Sequence, residues 1–69
     1  MGIVYVEDTF SGARTEIGEA YTIEDALTVV KDYLDDEGKT PTYTRHWRTG
    51  VGSVKIDIGS YTECFIWEE

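Results

Sequence analysis

The residues of this chain whose types and spacing could do chemistry are its carboxylates. Ten of the 14 acidic residues fall between positions 7 and 37, a stretch that holds only two basic residues. Several follow one another at steps of three and four residues, so on a helix they share one face, with neighbours about 5–6 Å apart. We call this set the acidic face; it comprises Asp25, Asp32, Asp35 and Asp36 with the flanking Glu37. A row of carboxylates on a rigid helix presents negative charge much as a phosphate backbone does to a protein that binds nucleic acid.

The acids at positions 32–37 lie where a helix tolerates them least. A helix C-terminus carries partial negative charge, so a carboxylate there is unfavourable by about 0.3–1 kcal/mol. Acids that serve solubility alone could sit at the N-terminal end without that cost. We therefore interpret the acidic face as a surface that a partner recognises. The alternative is a solvated face that only keeps the protein soluble.

The sequence lacks the patterns of a catalytic or metal site. It has one histidine, His46, and one cysteine, Cys64. Nucleophilic catalysis needs a nucleophile, a base and an orienting group together, and structural zinc needs four Cys or His ligands. The acids of positions 32–38 belong to a predicted helix rather than a calcium loop, and the glycines of 50–52 open no helix as a phosphate loop does. We predict that the protein is not an enzyme and uses no metal or other cofactor.

The net charge of −8 limits the class of partner. A chain this acidic repels nucleic acid and anionic lipid, so we expect no direct binding to nucleic acid or to a membrane. The expected partner is the basic surface of a nucleic-acid-binding protein. A single cysteine in a domain this small favours the cytoplasm. The N-terminus has neither the basic region nor the apolar stretch of a signal peptide or membrane span.

A single helix has to position the acidic face. Thr22 is a good N-cap, and apolar residues then recur at helical spacing over positions 23–34. Gly38 suits the left-handed residue that follows many helices, and Pro41 comes soon after. The sequence predicts a helix over Ile23–Glu37 whose apolar stripe points away from the carboxylates.

Five strands are predicted around this helix. Runs rich in β-branched and aromatic residues are separated by glycine-containing turns. The predicted strands span residues 3–7, 14–21, 42–48, 53–58 and 61–68. We expect an α+β fold of order ββαβββ, with one antiparallel sheet, a single helix packed on one face, and one domain over residues 1–69.

Aromatic residues on the predicted strands exceed what a core of this size can hold. One helix covers one face of a sheet, so the other face is open. Some of Tyr43, Trp47, Phe65 and Trp67 should line that open face, where they would make good interface anchors. This predicts a homodimer as a second kind of contact. A basic patch within residues 45–48 either pairs with acids on neighbouring strands or docks against an acidic surface.

In size, acidity and α+β layout, the whole chain resembles small cytosolic proteins encoded by bacteriophages, among them anti-CRISPR and anti-restriction proteins. Several of these inhibit host DNA-binding enzymes by occupying the DNA site. The resemblance implies a non-enzymatic, phage-encoded inhibitor with a DNA-mimic surface, acting in the host bacterial cytoplasm on an enzyme such as a Cas nuclease. No motif positions match, so the resemblance assigns no role to individual residues.

Two other functions fit the same residues. A homo-oligomeric structural or adaptor protein of a phage or bacterium would use the aromatic residues rather than the acidic face. An antitoxin or immunity protein would use similar acidic chemistry on a different target.

Overall fold

The structure is a computed structural model that describes residues 2–69; Met1, which the predicted domain 1–69 includes, lies outside the described residues. The elements in chain order are β1 (Gly2–Asp8), β2 (Arg14–Ala20), α1 (Ile23–Asp36), β3 (Arg45–Gly50), β4 (Ser53–Asp57) and β5 (Glu63–Glu68). The five strands form one antiparallel sheet, and the helix packs on one of its faces. The predicted α+β fold of order ββαβββ is confirmed.

The C-terminal strand β5 lies at the centre of the sheet. The strand order is β2-β1-β5-β4-β3, so β5 pairs with β1 on one side and with β4 on the other. Because side chains alternate along a strand, Phe65 and Trp67 face the helix while Cys64 and Ile66 face the opposite side. All four are buried. A central strand covered on both faces explains why the sequence is apolar at four consecutive positions there.

Of the four aromatics predicted as possible interface contacts, the structure excludes Phe65 and Trp67 from the open face. Phe65 is fully buried and Trp67 is 5% exposed, and both belong to the core under α1. The Trp67 Nε1–H donates to the backbone carbonyl of Ala20 at 3.1 Å, so its one polar atom is satisfied. A five-stranded sheet is wide enough to bury both rings under one helix. Tyr43 and Trp47 are left as the exposed aromatics of the predicted set.

Helix α1 is capped at both ends by its own sequence. The Thr22 hydroxyl accepts from the backbone N–H of Asp25 at 3.2 Å, as an N-cap does. At the other end Gly38 has a φ of 70°, and the backbone N–H of Lys39 donates to the carbonyl of Leu34 at 2.8 Å. This C-cap ends the helix one residue before the predicted boundary.

Within residues 2–69, no helix has the length and apolar character needed to cross a membrane.

The apolar stripe of α1 packs over the half of the sheet formed by β2, β1 and β5. Its buried residues are Ala26, Val30 and Leu34. A Cβ at Gly18 would lie 2.8 Å from the Val29 side chain, so a glycine is what lets the helix approach β2 this closely. Strand β3, at the far edge, lies beyond the cover of the helix, and all of its residues are exposed.

Strands β3 and β5 begin later than the predicted starts at residues 42 and 61, namely at Arg45 and Glu63. The backbone N–H of Thr42 instead donates to the carbonyl of Ile58 at 3.1 Å. Before β5, the Ser60 hydroxyl accepts from the backbone N–H of Glu63 at 3.3 Å and holds a turn. Local bonds of this kind compete with strand pairing and shift the ends of strands.

Replacing Trp67 with phenylalanine tests the core. Loss of the indole N–H leaves the buried carbonyl of Ala20 without its partner, and the smaller ring leaves a gap. We expect Trp67→Phe to lower the free energy of unfolding by about 2–3 kcal/mol. The matched variant Trp47→Phe changes an exposed ring and should cost less than about 1 kcal/mol. Urea unfolding followed by circular dichroism measures both; equal losses would contradict the burial of Trp67.

Candidate functional site

The structure brings the predicted acidic face together on the outer side of α1. Its five members are all exposed: Asp25, Asp32, Asp35, Asp36 and Glu37. The buried stripe of the helix lies opposite, and Glu37 is the C-cap residue. The same amphipathic pattern that fixes the helix to the sheet therefore turns the carboxylates to solvent.

Four of the five bases outside α1 are paired with acids within residues 2–69, and Lys55 is the exception. Each ion pair found within residues 2–69 uses a carboxylate outside the acidic face. They are Arg14 with Glu7 and Glu68, Lys39 with Glu63, Arg45 with Asp57, and Arg48 with Glu69. Exposed pairs of this kind contribute only about 0–1 kcal/mol each to stability. They do, however, cancel charge over the sheet.

The acidic face has no such neutralisation within residues 2–69. None of its carboxylates lies within 4.0 Å of a basic nitrogen, and the last turn of α1 contains no basic residue. The partial negative charge of the helix C-terminus adds to that of Asp35, Asp36 and Glu37. This end of the helix is therefore a strongly negative part of the surface.

The carboxylates are arranged as a row rather than as a cage. Within residues 2–69 no group of three or more His, Cys, Asp or Glu side chains converges to hold a metal ion. Spacing along a helix suits a series of separate contacts with lysine or arginine side chains of a partner.

The predicted basic patch of Arg45, His46 and Arg48 is split by the pleat of β3. Arg45 pairs across the strand with Asp57 on the face away from the helix, whereas His46 and Arg48 point to the other face. The pKa of Asp57 is lowered by the backbone N–H of Gly59 and, secondly, by hydrogen bonds from Arg45 and a tyrosine. The two arginines of the basic patch pair with acids of the chain, and the patch forms no single surface.

The sheet face away from the helix holds the cysteine. The Cys64 thiol donates to Glu7 Oε2 at 3.6 Å, and burial raises the pKa of the thiol. The guanidinium of Arg14 lies 2.9 Å from Glu7 and holds the pKa of that carboxyl below its usual range. A buried thiol with a raised pKa is a poor nucleophile.

An apolar groove beside the acidic face was not predicted from the sequence. It lies between α1 and the segment that follows the helix, and it has a volume of about 360 Å³. Leu27, Leu34 and Ile58 supply part of its wall, and Asp35 of the acidic face lies on its lining. Pro41 and Ile58 are the apolar residues outside the helix that line this groove, and they could have indicated it. They lie far apart in the sequence, so only the folded chain places both beside α1.

Two exposed aromatics were also missed: Phe10 falls in a predicted loop, and Tyr61 was predicted to begin the last strand, which starts only at Glu63. Phe10 is 82% exposed and Tyr61 is 93% exposed. Their loops are joined by Thr9, whose backbone N–H donates to the carbonyl of Thr62 at 3.0 Å and whose hydroxyl donates to the carbonyl of Tyr61 at 2.8 Å. By topology these loops lie at the end of the sheet where α1 terminates. The acidic end of the helix thus has apolar neighbours that a partner could contact.

Comparison with known proteins gives no family model, no curated protein and no solved structure that matches this chain. The function is therefore argued from the acidic face and its surroundings.

Reversing one charge at each end of α1 tests whether the acidic face opposes stability. Asp36→Lys replaces an unfavourable charge at the C-terminus and should raise the free energy of unfolding by about 0.5–1 kcal/mol. Glu24→Lys makes the same change of charge in the first turn and should lower it by a similar amount. Urea unfolding measures the free energy of unfolding of both variants. Equal changes of the same sign would show that the net charge of the protein, not the position of the charge on the helix, determines the effect on stability.

Acidification tests the contribution of Asp57. Its lowered pKa means that folding favours the ionised carboxylate. The stabilisation is complete above the ordinary pKa of about 4 and is lost as the pH falls through the lowered value. The urea midpoint of the wild type should therefore drop between about pH 5 and about pH 3 more than that of Asp57→Asn. An identical pH dependence for both proteins would contradict this.

Proposed function

We propose that this protein is a non-enzymatic inhibitor that binds the basic nucleic-acid site of a host enzyme through the acidic face of α1. A phage-encoded inhibitor of the anti-CRISPR kind, acting in the bacterial cytoplasm on an enzyme such as a Cas nuclease, has this chemistry. The protein would occupy the channel that normally receives a phosphate backbone. The proposed partner is a protein, and the proposal includes no direct binding to nucleic acid or to a membrane.

One observation carries the proposal. The carboxylates of the acidic face are exposed and without a basic partner within residues 2–69, whereas the arginines of the strands are each bonded to an acid. Asp32 lies three and four residues before Asp35 and Asp36, so it is about 5–6 Å from each on one helix, and Asp25 lies two turns earlier. A row of carboxylates at such steps can meet the arginines and lysines of a nucleic-acid channel as phosphates do.

Electrostatic complementarity would act mainly on the rate of association. A concentrated negative potential attracts a basic channel over several ångströms, and salt screens that attraction. The screening length falls to about 10 Å at 0.1 M salt and about 3 Å at 1 M. Binding through the acidic face is therefore expected to be strongly sensitive to salt.

The apolar features at the same end of the molecule supply a second kind of contact. Asp35 belongs to the acidic face and also lines the apolar groove beside Leu34. Interfaces commonly combine a ring of charges with a few apolar anchors that carry most of the affinity. This arrangement supports binding to a protein, whose side chains can enter a groove, over adsorption to a simple polycation.

An antitoxin or immunity protein would use the same acidic face on a different basic target. The two functions share their interface chemistry and differ in the identity of the partner. The same capture experiment distinguishes them, because it names the partner.

Capture from a bacterial lysate, followed by measurement with the purified partner, tests the proposal. The tagged protein should retain basic nucleic-acid enzymes at about 50 mM salt and release most of them at about 500 mM. Duplex DNA added to the purified partner should displace the protein. The variant Asp32→Lys/Asp36→Lys should bind at least about tenfold more weakly.

The matched control is Glu16→Lys/Glu19→Lys, which makes the same change of net charge at two exposed positions of β2. Its affinity should stay within about threefold of the wild type, because electrostatic effects at a distance are screened. Equal losses of affinity in both variants would show that binding depends on the net charge of the protein and not on the acidic face. Unchanged binding of Asp32→Lys/Asp36→Lys would exclude the acidic face as the interface.

A further inference from the structure

Strand β3 is an open edge of the sheet. It is paired on one side with β4, and no other strand of residues 2–69 pairs with its second side. All six of its residues are exposed, whereas every residue of β4 is buried or half-buried. A strand in this position presents free backbone N–H and C=O groups, which form a template for pairing with another strand.

The side chains beside this edge are those that interfaces favour. The Arg45 guanidinium lies 5.2 Å from the ring centroid of Tyr43 and 5.4 Å from that of Trp47. The two aromatic residues are 45% and 41% exposed. Asp57 holds the stack in place by accepting hydrogen bonds from Tyr43 at 3.3 Å and from Arg45 at 3.1 Å. Tyrosine, tryptophan and arginine are the residue types enriched at the centres of protein interfaces.

Charge makes this edge a better place for a second copy of the chain than the acidic face. The chain carries a net charge of −8, but residues 39–57 hold four bases and one acid, a local balance of +3. Arg45 and Arg48 are in turn bonded to Asp57 and Glu69, so the edge is close to neutral. Two copies that meet there avoid the repulsion between their acidic faces.

The opposite edge of the sheet, β2, is closed to the same contact. Gly18 and Glu16 pair with consecutive residues of β1, so Ile17 forms a bulge in the middle of β2. The register shift of β3 lies at the end of that strand, after Arg48, and leaves Arg45–Arg48 in regular pairing. Bulges twist an edge away from further pairing. Glu16 and Glu19 are exposed there and would repel their copies in a second chain. With one open edge per chain, pairing closes at two copies instead of continuing into a fibre.

We propose that two copies of this chain form a homodimer by antiparallel pairing of their β3 strands, which joins the two sheets into one. A two-fold axis perpendicular to the sheet relates the copies and places both Tyr43–Arg45–Trp47 stacks on the same face, next to the junction. The acidic face lies over the β2, β1 and β5 half of each sheet and stays exposed. The dimer is independent of the proposed inhibitory function.

Sedimentation velocity over about 10 µM to about 1 mM tests the dimer directly. The wild type should shift from the 7.8 kDa of one chain towards twice that mass as concentration rises. Trp47→Ala removes an interface ring, and His46→Lys adds a charge to the edge. Each should weaken association at least about tenfold. Added salt should strengthen the dimer by screening the like charges, opposite to its effect on binding through the acidic face.

Phe10→Ala is the matched control, since it removes an exposed ring from the loop between β1 and β2, on the far side of the sheet from β3, and should leave association unchanged. The fluorescence of buried Trp67 reports that Trp47→Ala is folded, and His46→Lys keeps both tryptophans. A wild type that remains at the mass of one chain across the whole range overturns the proposal. A dimer that neither β3 variant weakens, or that Phe10→Ala abolishes, overturns it as well.

Discussion

The burial of Phe65 and Trp67 between α1 and the sheet is the contact on which the rest of this structure depends. A chain of 69 residues buries only a small core, so each large apolar side chain in it matters for stability. These two rings are the largest side chains that β5 contributes to that core. Placing them under the helix puts the C-terminal strand at the centre of the sheet. It also fixes the helix over β2, β1 and β5, where Gly18 allows close approach. Because the helix covers this half of the sheet, its acidic face lies above β2, β1 and β5, and β3 at the far edge is left exposed.

Charge is distributed on this frame in two distinct ways. Over the sheet, most bases pair with acids of neighbouring segments, so part of the negative charge there is cancelled. On the helix the carboxylates have no such partners within residues 2–69, and they lie at the end where the helix dipole is negative. The molecule thus separates a strongly acidic surface from a neutral, aromatic edge. The two proposed contacts, one with a basic partner and one with a second copy, are compatible because they use opposite parts of the molecule.

Local patterns made the helix and the order of the elements predictable. Thr22, the apolar spacing over residues 23–34 and Gly38 act within a few residues of each other, so their effect does not depend on the rest of the chain. The acidic face was predictable for the same reason, since its members share one helix. The groove beside Asp35 and the joined loops of Phe10 and Tyr61 were not, because each is built from segments that are distant in the sequence.

The sequence by itself determined the α+β composition, the amphipathic helix and the side of that helix that is acidic, because helical and strand periodicities are properties of neighbouring residues. Only the tertiary structure decided which strand is central, and with it that Phe65 and Trp67 are core residues while Trp47 is exposed. It also decided that Arg45 and Arg48 are neutralised on opposite faces of β3. Strand order and cross-strand pairing depend on contacts between residues far apart in the chain, where local pattern carries no information.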